Sequence, residues 1–331
     1  MSKRKILTAL LAASVLVGGG LVGFVVHWNG SPLTVDATAT VALNSGESFV
    51  SFADRLQRDG LLNHPRLWSG LARVRGLARQ VKAGEYEVLA GDTPETLLQR
   101  LIAGQVVTYR VQLLEGWTAM QSVVALAVHD KLSHTLQGVD VETLLDALGL
   151  PGGHAEGVFF PDTYSFTAGD SDADILRRAY AKMQTELEAA WSTRELSVPY
   201  GSPYEALIAA SLIEKETGRD EDREHISQVF ASRLEVRMKL QTDPSVIYGM
   251  GASFDGDLRR RDLRADTPYN TYVHRGLPPT PIALAGRKSI HAALHPGPGN
   301  FLYFVSRGDG SSQFSTSLAE HRAAVRKYQL R

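Results

Sequence analysis

Two glutamates, Glu214 and Glu216, stand at the end of a predicted helix. The helix begins at residues 202–205, Ser-Pro-Tyr-Glu, where the serine can cap, the proline suits the first turn and the glutamate completes a capping box. Its middle is apolar on nearly all sides, which is typical of a buried helix, and Gly218 is a natural terminator. Because the helix dipole disfavours negative charge at this end, the pKa of a carboxyl here should rise. A carboxyl that stays protonated near neutral pH can act as a general acid.

These two carboxyls cannot face the same cleft. Residues two apart on a helix project about 200° apart, so one should face a cleft and the other should pair elsewhere. Helix geometry does not choose between them. The simpler interpretation is that both are solvated glutamates at a frayed helix end, paired with Lys215, Arg219 or Arg223.

Two loops after this helix are rich in amide, hydroxyl and aromatic side chains, in the strings QTDPSVIYG (241–249) and YNTY (269–272). Aromatic faces stack on sugar rings, and amides and hydroxyls bond to sugar hydroxyls and N-acetyl groups. The candidate binding residues are therefore Glu214, Gln241, Thr242, Asp243, Tyr248, Tyr269, Asn270 and Tyr272. Each loop also has a structural interpretation: Asp243 can be an N-cap before Pro244, and the tyrosines can be core aromatics.

Composition excludes several function classes. The formal net charge is -1, which does not favour a nucleic-acid partner. The chain has no Cys, which excludes disulfides, thiolate metal sites and Cys nucleophiles. Its ten histidines show no H-E-x-x-H or comparable spacing, so we expect neither a metal nor a cofactor.

The N-terminus predicts a membrane anchor. A basic cluster at residues 3–5 precedes an uncharged apolar run, Ile6 to Val26, which matches the about 20 residues that a spanning helix needs. The basic cluster should keep residues 1–5 inside as a cytoplasmic tail and place everything after His27 outside. A cleaved signal peptide is the alternative, but its apolar region is usually only about 7–15 residues long.

The remaining chain predicts an α+β fold in three parts after a polar linker, residues 27–37. A small module (38–111) is followed by an intermediate subdomain (112–200) and a third domain (201–331). Predicted helices cover residues 49–59, 65–74, 94–103, 119–131, 141–148, 173–191 and 221–236, and predicted strands cover 38–43, 86–89 and 106–113.

Several strings together resemble the endolytic murein transglycosylase family, also called MltG-like or YceG-like. They are EKETG (214–218), the two loop strings above, GLPP (276–279), LEGW (114–117), FPDTY (160–164) and YFV (303–305). They follow the family's order and cover essentially the whole chain after the anchor. The chain departs from the family pattern at Thr280, where the family usually has Gly, and at Ser232, where it commonly has Asn.

The resemblance implies an enzyme and a place for it. Residues 38–111 would be a LysM-like module that aids glycan binding, and Glu216 would be the catalytic acid of a lyase without a cofactor. The enzyme would cut the bond between N-acetylmuramic acid and N-acetylglucosamine in nascent peptidoglycan strands, leaving 1,6-anhydro ends, and help to terminate strand elongation. Its domain would lie in the periplasm, held by a single-pass anchor in the bacterial inner membrane, with peptidoglycan synthases as partners.

Two other functions compete with this one. A two-carboxylate hydrolase would use Glu216 as acid and Asp243 as base or nucleophile. A non-catalytic scaffold would bind glycan and recruit synthases, and it would not need the Glu216 carboxyl.

Overall fold

A computed structural model of the chain describes residues 3–35 and 37–329, so the predicted tail, linker and third domain lie partly outside the described residues. The first elements are α1 (Lys3–Asn29), β1 (Ala39–Leu43), α2 (Phe49–Arg58), α3 (Pro65–Val74), β2 (Gly84–Val88) and α4 (Pro94–Ala103). Next come β3 (Tyr109–Gln112), α5 (Ala119–Ala127), α6 (Leu144–Ala147), β4 (Thr163–Phe166) and α7 (Asp172–Ser192). The last are α8 (Pro203–Glu216), α9 (Asp220–Glu235), α10 (Asp243–Met250), α11 (Arg287–Leu294), β5 (Tyr303–Ser306), β6 (Ser312–Ser315) and α12 (Leu318–Tyr328).

The strands form three two-stranded sheets, β1–β2, β3–β4 and β5–β6. Helices and these small sheets together confirm the predicted α+β class. The chain divides into two compact units, residues 1–109 with 165–169, and residues 110–164 with 170–331. The likeness of residues 38–111 to a LysM module stays a prediction.

Helix α1 carries a stretch, Leu10–Asn29, that is long and apolar enough to cross a membrane, with a mean hydropathy of 2.1 and no part of it buried in the protein. An apolar helix with largely exposed side chains is suited to lipid. Its C-terminal end contacts the first unit, where Phe24 and Trp28 pack against His64. The predicted anchor, Ile6–Val26, lies within α1, which continues to Asn29.

The first unit packs its helices around the β1–β2 sheet. These strands are antiparallel with Val41 opposite Tyr86, and both side chains are buried. The Trp68 indole is fully buried and donates to the Pro94 carbonyl at 3.0 Å. Part of the predicted linker also belongs to this core, because Leu33 is buried and its N–H donates to the Asp92 carbonyl at 2.6 Å.

Helix α8 lies at the centre of the second unit, where it packs against α7, α9, α10 and α11. Its residues 206–213 are all buried, as the apolar sequence predicts. The Ser202 hydroxyl accepts from the Glu205 N–H at 3.2 Å, but the predicted capping box is wrong. The Glu205 carboxylate accepts instead from the Gly201 N–H at 2.7 Å, so it bonds to the residue before the cap and not to the cap itself.

Candidate active site

Glu216 is the last residue of α8 and is half-buried. Burial raises the pKa of its carboxyl to about 7, and the negative charge of Asp243 adds to this. The Thr242 hydroxyl and the Arg233 guanidinium act in the opposite direction. The direction agrees with the expectation from the sequence, but loss of hydration is the main cause. Among the described residues, no ion pair reaches this carboxylate.

Glu214 has a different environment. Its carboxylate is buried, accepts from the Gly286 N–H at 3.0 Å and lies 3.6 Å from the buried Arg223 guanidinium. Both oxygens therefore have partners within the protein. Of the two glutamates, the structure leaves Glu216 as the carboxyl available for chemistry.

The turn that faces Glu216 is held by Thr271. The Gln241 N–H donates to the Thr271 carbonyl at 3.2 Å, and the Thr242 N–H donates to the Thr271 hydroxyl at 3.0 Å. Gln241 has φ +51°, which costs a residue with a side chain on the order of 1 kcal/mol. The Thr242 hydroxyl is buried and has no partner of ordinary hydrogen-bond geometry among the described residues. A strained turn thus presents an unsatisfied hydroxyl beside the carboxyl of Glu216.

Asp243 begins α10, and Thr242 is the capping position, so the interpretation of Asp243 as the N-cap is wrong. The reason is that α10 begins at Asp243, whereas an N-cap at Asp243 would require the helix to begin at Pro244. The Asp243 carboxylate is exposed and accepts from the Tyr272 hydroxyl at 2.6 Å. Burial raises the pKa of Tyr272, which keeps the phenol neutral and able to donate.

Arg233 holds the segment that leads into this turn. Its guanidinium is buried and donates to the Leu240 carbonyl at 2.5 Å and to the Leu302 carbonyl at 2.7 Å. Sequence reasoning did not give this residue a role. The available signal was a positive charge seven residues after Ile226, on the stripe that otherwise faces the core.

The Asn270 side chain stabilises the second loop, residues 269–272. It is fully buried, and its amide donates to the carbonyls of Asp262 and Ala265 at 3.1 and 2.7 Å. Its side-chain oxygen accepts from the Tyr272 N–H at 2.9 Å. The amide group that the sequence suggested for sugar binding is therefore occupied in fixing the loop that carries the two tyrosines.

Tyr248 and Tyr269 lie together, with their rings edge to face at 4.8 Å between centroids. The Tyr269 hydroxyl lies 2.9 Å from the Thr280 hydroxyl, which itself donates to the Pro281 carbonyl at 2.7 Å. Thr280, where the chain departs from the family pattern, thus anchors one ring of the pair.

These tyrosines border a cavity of about 750 Å³. Its other lining residues include Gly116, Met120, Gln121, Glu142, His154, Glu156, Lys215, Ile247 and Ile282. Glu216 does not line this cavity, although its neighbour Lys215 does. The predicted residues therefore divide into a cluster around Glu216 (Thr242, Asp243 and Tyr272, with the exposed Gln241 beside it) and a cavity wall (Tyr248 and Tyr269).

Glu156 is a second carboxyl of unusual environment, and sequence reasoning did not identify it. It is 2% exposed, and burial raises its pKa to about 7 against the effect of three hydrogen bonds. The donors are the N–H groups of Ala119 and Gly157 and the hydroxyl of Tyr248. The available signal was a glutamate placed directly before an apolar and aromatic run.

Comparison with known proteins places this architecture in a family. The model of the YceG-like family matches residues 41–327. The endolytic murein transglycosylase of Bacillus subtilis is 32% identical over 316 residues, which cover 90% of this chain and 87% of that protein. The enzyme of the same name from Streptococcus pneumoniae (D39) is 26% identical over 366 residues, with 98% of this chain and 65% of that protein covered.

A solved structure shows the same fold. The crystal structure of a yceG-like protein from Listeria monocytogenes superposes with a TM-score of 0.55 at 27% identity, covering 87% of this chain and 99% of that one. The family match extends through both units of the chain and includes the helix that carries Glu216. The chain belongs to the YceG-like family.

Proposed function

We propose that this chain is an endolytic murein transglycosylase in which Glu216 is the single acid–base residue. The observation that carries the proposal is a half-buried carboxyl with a pKa of about 7 and no ion-pair partner among the described residues. The names of the relatives in Bacillus and Streptococcus support the substrate class.

The reaction would run through one carboxyl in two roles. Protonated Glu216 donates its proton to the glycosidic oxygen between N-acetylmuramic acid and N-acetylglucosamine. The resulting carboxylate then accepts the proton of the muramic 6-hydroxyl as that oxygen bonds to C1. The product is a 1,6-anhydro end and water is not consumed, so a second carboxylate is not needed. A pKa near 7 suits both the acid and the base role.

The residues around Glu216 would act on the sugars. The buried Thr242 hydroxyl, which lowers the pKa of Glu216, would orient that carboxyl toward the glycosidic oxygen. The exposed Asp243 carboxylate, fixed by Tyr272, would place negative charge near the developing oxocarbenium ion. The exposed Gln241 side chain would bond to the strand from its strained turn.

The test is digestion of purified murein, with the products analysed by mass spectrometry. Glu216→Gln should lower the rate by about 100- to 10 000-fold, because the amide cannot donate or accept the proton. Glu188→Gln, an exposed site on α7, is the matched control and should retain full activity.

The product ends decide among the alternatives. Anhydro ends from the unaltered protein support the lytic reaction. Reducing ends that carry oxygen from labelled water would instead favour a hydrolase with Asp243 as second carboxylate. Undiminished cleavage by Glu216→Gln would remove the proposal altogether.

The predicted anchor would determine where in the cell this activity occurs. With the basic N-terminus inside, the second unit would lie in the periplasm, close to the membrane where strands are made. Cleavage there would terminate growing strands, and peptidoglycan synthases would be the natural neighbours. Glycan binding by a LysM-like module in residues 38–111 would hold the strand near the site.

A further inference from the structure

The cavity bordered by Tyr248 and Tyr269 has the size and lining of a ligand site. Its volume is about 750 Å³, within the range of roughly 300–1000 Å³ that is usual for small-molecule pockets. The apolar residues Met120 and Ile247 also line this cavity, and so does Lys215. The Glu216 mechanism does not use this space.

The hydrogen bonds of Glu156 fix the direction of the Tyr248 hydroxyl. The Ala119 N–H donates to Oε1 of Glu156 at 2.9 Å, and the Gly157 N–H donates to the same oxygen at 3.2 Å. The Tyr248 hydroxyl lies 3.1 Å from Oε2. Above its pKa of about 7, Glu156 is a carboxylate that can only accept, so in that form it directs the phenolic proton of Tyr248 to itself.

The Tyr248 oxygen then has lone pairs to offer. No other hydrogen bond to that oxygen is formed within the part of the chain that the structure describes. Tyr248 and its partner Glu156 both line the cavity, so the phenolic oxygen would be an acceptor for a ligand there. A ligand N–H satisfies this acceptor. The N–H of an amide can only donate, whereas a hydroxyl can either donate or accept.

We propose that the cavity is a subsite for an N-acetylhexosamine of the glycan strand, in which the Tyr248 oxygen accepts the acetamido N–H and Glu156 is the positioning residue that fixes this polarity. The inference rests on the proposed function for its substrate class. The acetamido group also presents a carbonyl and a methyl. Lys215, whose ammonium makes a 3.1 Å hydrogen bond to the Gly116 carbonyl, keeps further N–H donors for the carbonyl. Met120 and Ile247 supply apolar surface for the methyl.

The experiment compares two sugar probes on the full chain carrying Glu216→Gln, so that no turnover occurs. The probes are the β-1,4 tetramer of N-acetylglucosamine and cellotetraose, which has a hydroxyl in place of each acetamido group. Calorimetry should show tighter binding of the acetylated tetramer. Adding Tyr248→Phe should weaken that binding roughly tenfold, the loss expected for one hydrogen bond, and leave cellotetraose unchanged.

Glu156→Gln should have the same selective effect without removing the tyrosine hydroxyl. The glutamine amide would donate to the Tyr248 oxygen and turn the phenolic proton toward the cavity, where it opposes a ligand N–H. Tyr180→Phe removes a hydroxyl from a half-buried tyrosine of α7 that does not line the cavity, and it is the matched control. Thermal unfolding checks that each variant is folded. If Glu156→Gln does not fold, the binding result for Tyr248→Phe decides the test.

Equal weakening of both probes would mean that the tyrosine only shapes the wall, which overturns the inference. Failure of the acetylated tetramer to bind Glu216→Gln would overturn it as well. Neither result touches the proposed function, whose test is the product ends and the loss of turnover in Glu216→Gln.

Discussion

Glu216 has a carboxyl that can be protonated near neutral pH. Burial of the group at the end of α8 raises its pKa to about 7. Among the neighbouring charges, Asp243 raises the pKa and Arg233 lowers it. This arrangement leaves both protonation states accessible, which a residue that first donates and then accepts a proton requires.

The pH profile tests this electrostatic balance. The first step needs protonated Glu216, so activity should fall as the pH rises above about 7. Asp243→Asn removes a negative charge that raises the pKa of Glu216, and the descending limb should therefore move to lower pH, on the order of half a unit. The asparagine oxygen can still accept from Tyr272, so the loop geometry should persist.

The measurement is the initial rate of anhydro-product formation from pH 5 to 9. Asp257→Asn, an exposed carboxylate outside the cluster, is the control and should leave the limb in place. A limb that stays in place or moves to higher pH in Asp243→Asn would show that this charge does not act on Glu216.

At the scale of elements, α8 and the loops around it form one hydrogen-bonded framework. The Ser211 hydroxyl of α8 accepts from the Ile282 N–H at 3.0 Å, and the Gly116 N–H donates to the Leu284 carbonyl at 2.9 Å. The GLPP string of the sequence analysis therefore leads into a segment bound directly to the helix that carries the acid.

Gly157 tests how closely these loops pack. It has φ +77°, and an added Cβ would lie 2.3 Å from Cβ of Pro281. Gly157→Ala should lower the free energy of unfolding by about 2–4 kcal/mol, from backbone strain and overpacking together. The measurement is denaturant unfolding, followed for the second unit.

Gly152→Ala is the matched control, because an added Cβ there meets nothing within 4 Å and the backbone does not have positive φ. Its stability should stay within about 0.5 kcal/mol of the unaltered chain. A similar stability for the two variants would contradict the close packing of the Gly157 turn against Pro281.

At the scale of the whole molecule, the apolar stretch Leu10–Asn29 lies near the N-terminal end of the first of the two compact units. Its length and hydropathy fit a single membrane crossing. The side of the membrane on which the second unit lies decides whether the protein can reach peptidoglycan.

Orientation can be measured with a single cysteine, because the chain has none. Leu196 lies in the second unit and is 92% exposed, so Leu196→Cys should not disturb the fold. A maleimide that cannot cross membranes should label it in spheroplasts without lysis. The cysteine-free chain is the control, and labelling that requires lysis would place the unit in the cytoplasm and remove the proposed activity.

Local sequence determined much of the secondary structure. Residues 65–74 and 94–103 are helical as predicted, since proline, caps and apolar periodicity act within a few residues. The long apolar N-terminal helix followed from its residue types for the same reason. The predicted strand 106–113 is only Tyr109–Gln112 in the structure, because strand ends depend on a distant partner.

Only the tertiary structure shows that the Glu214 carboxylate has partners within the protein. The helical repeat separates Glu214 from Glu216, but the choice depends on a contact from Glu214 to Gly286, 72 residues away. The resemblance alone had selected Glu216. Likewise, the hydrogen bond between Glu156 and Tyr248 joins residues that are 92 positions apart. The sequence predicts sugar binding by Asn270 because it does not reveal the hydrogen bonds that this side chain makes within its own loop. Periodicity fixes the direction of a side chain, whereas burial and long-range hydrogen bonds, which fix its pKa and its freedom to bind, arise only when distant segments pack together.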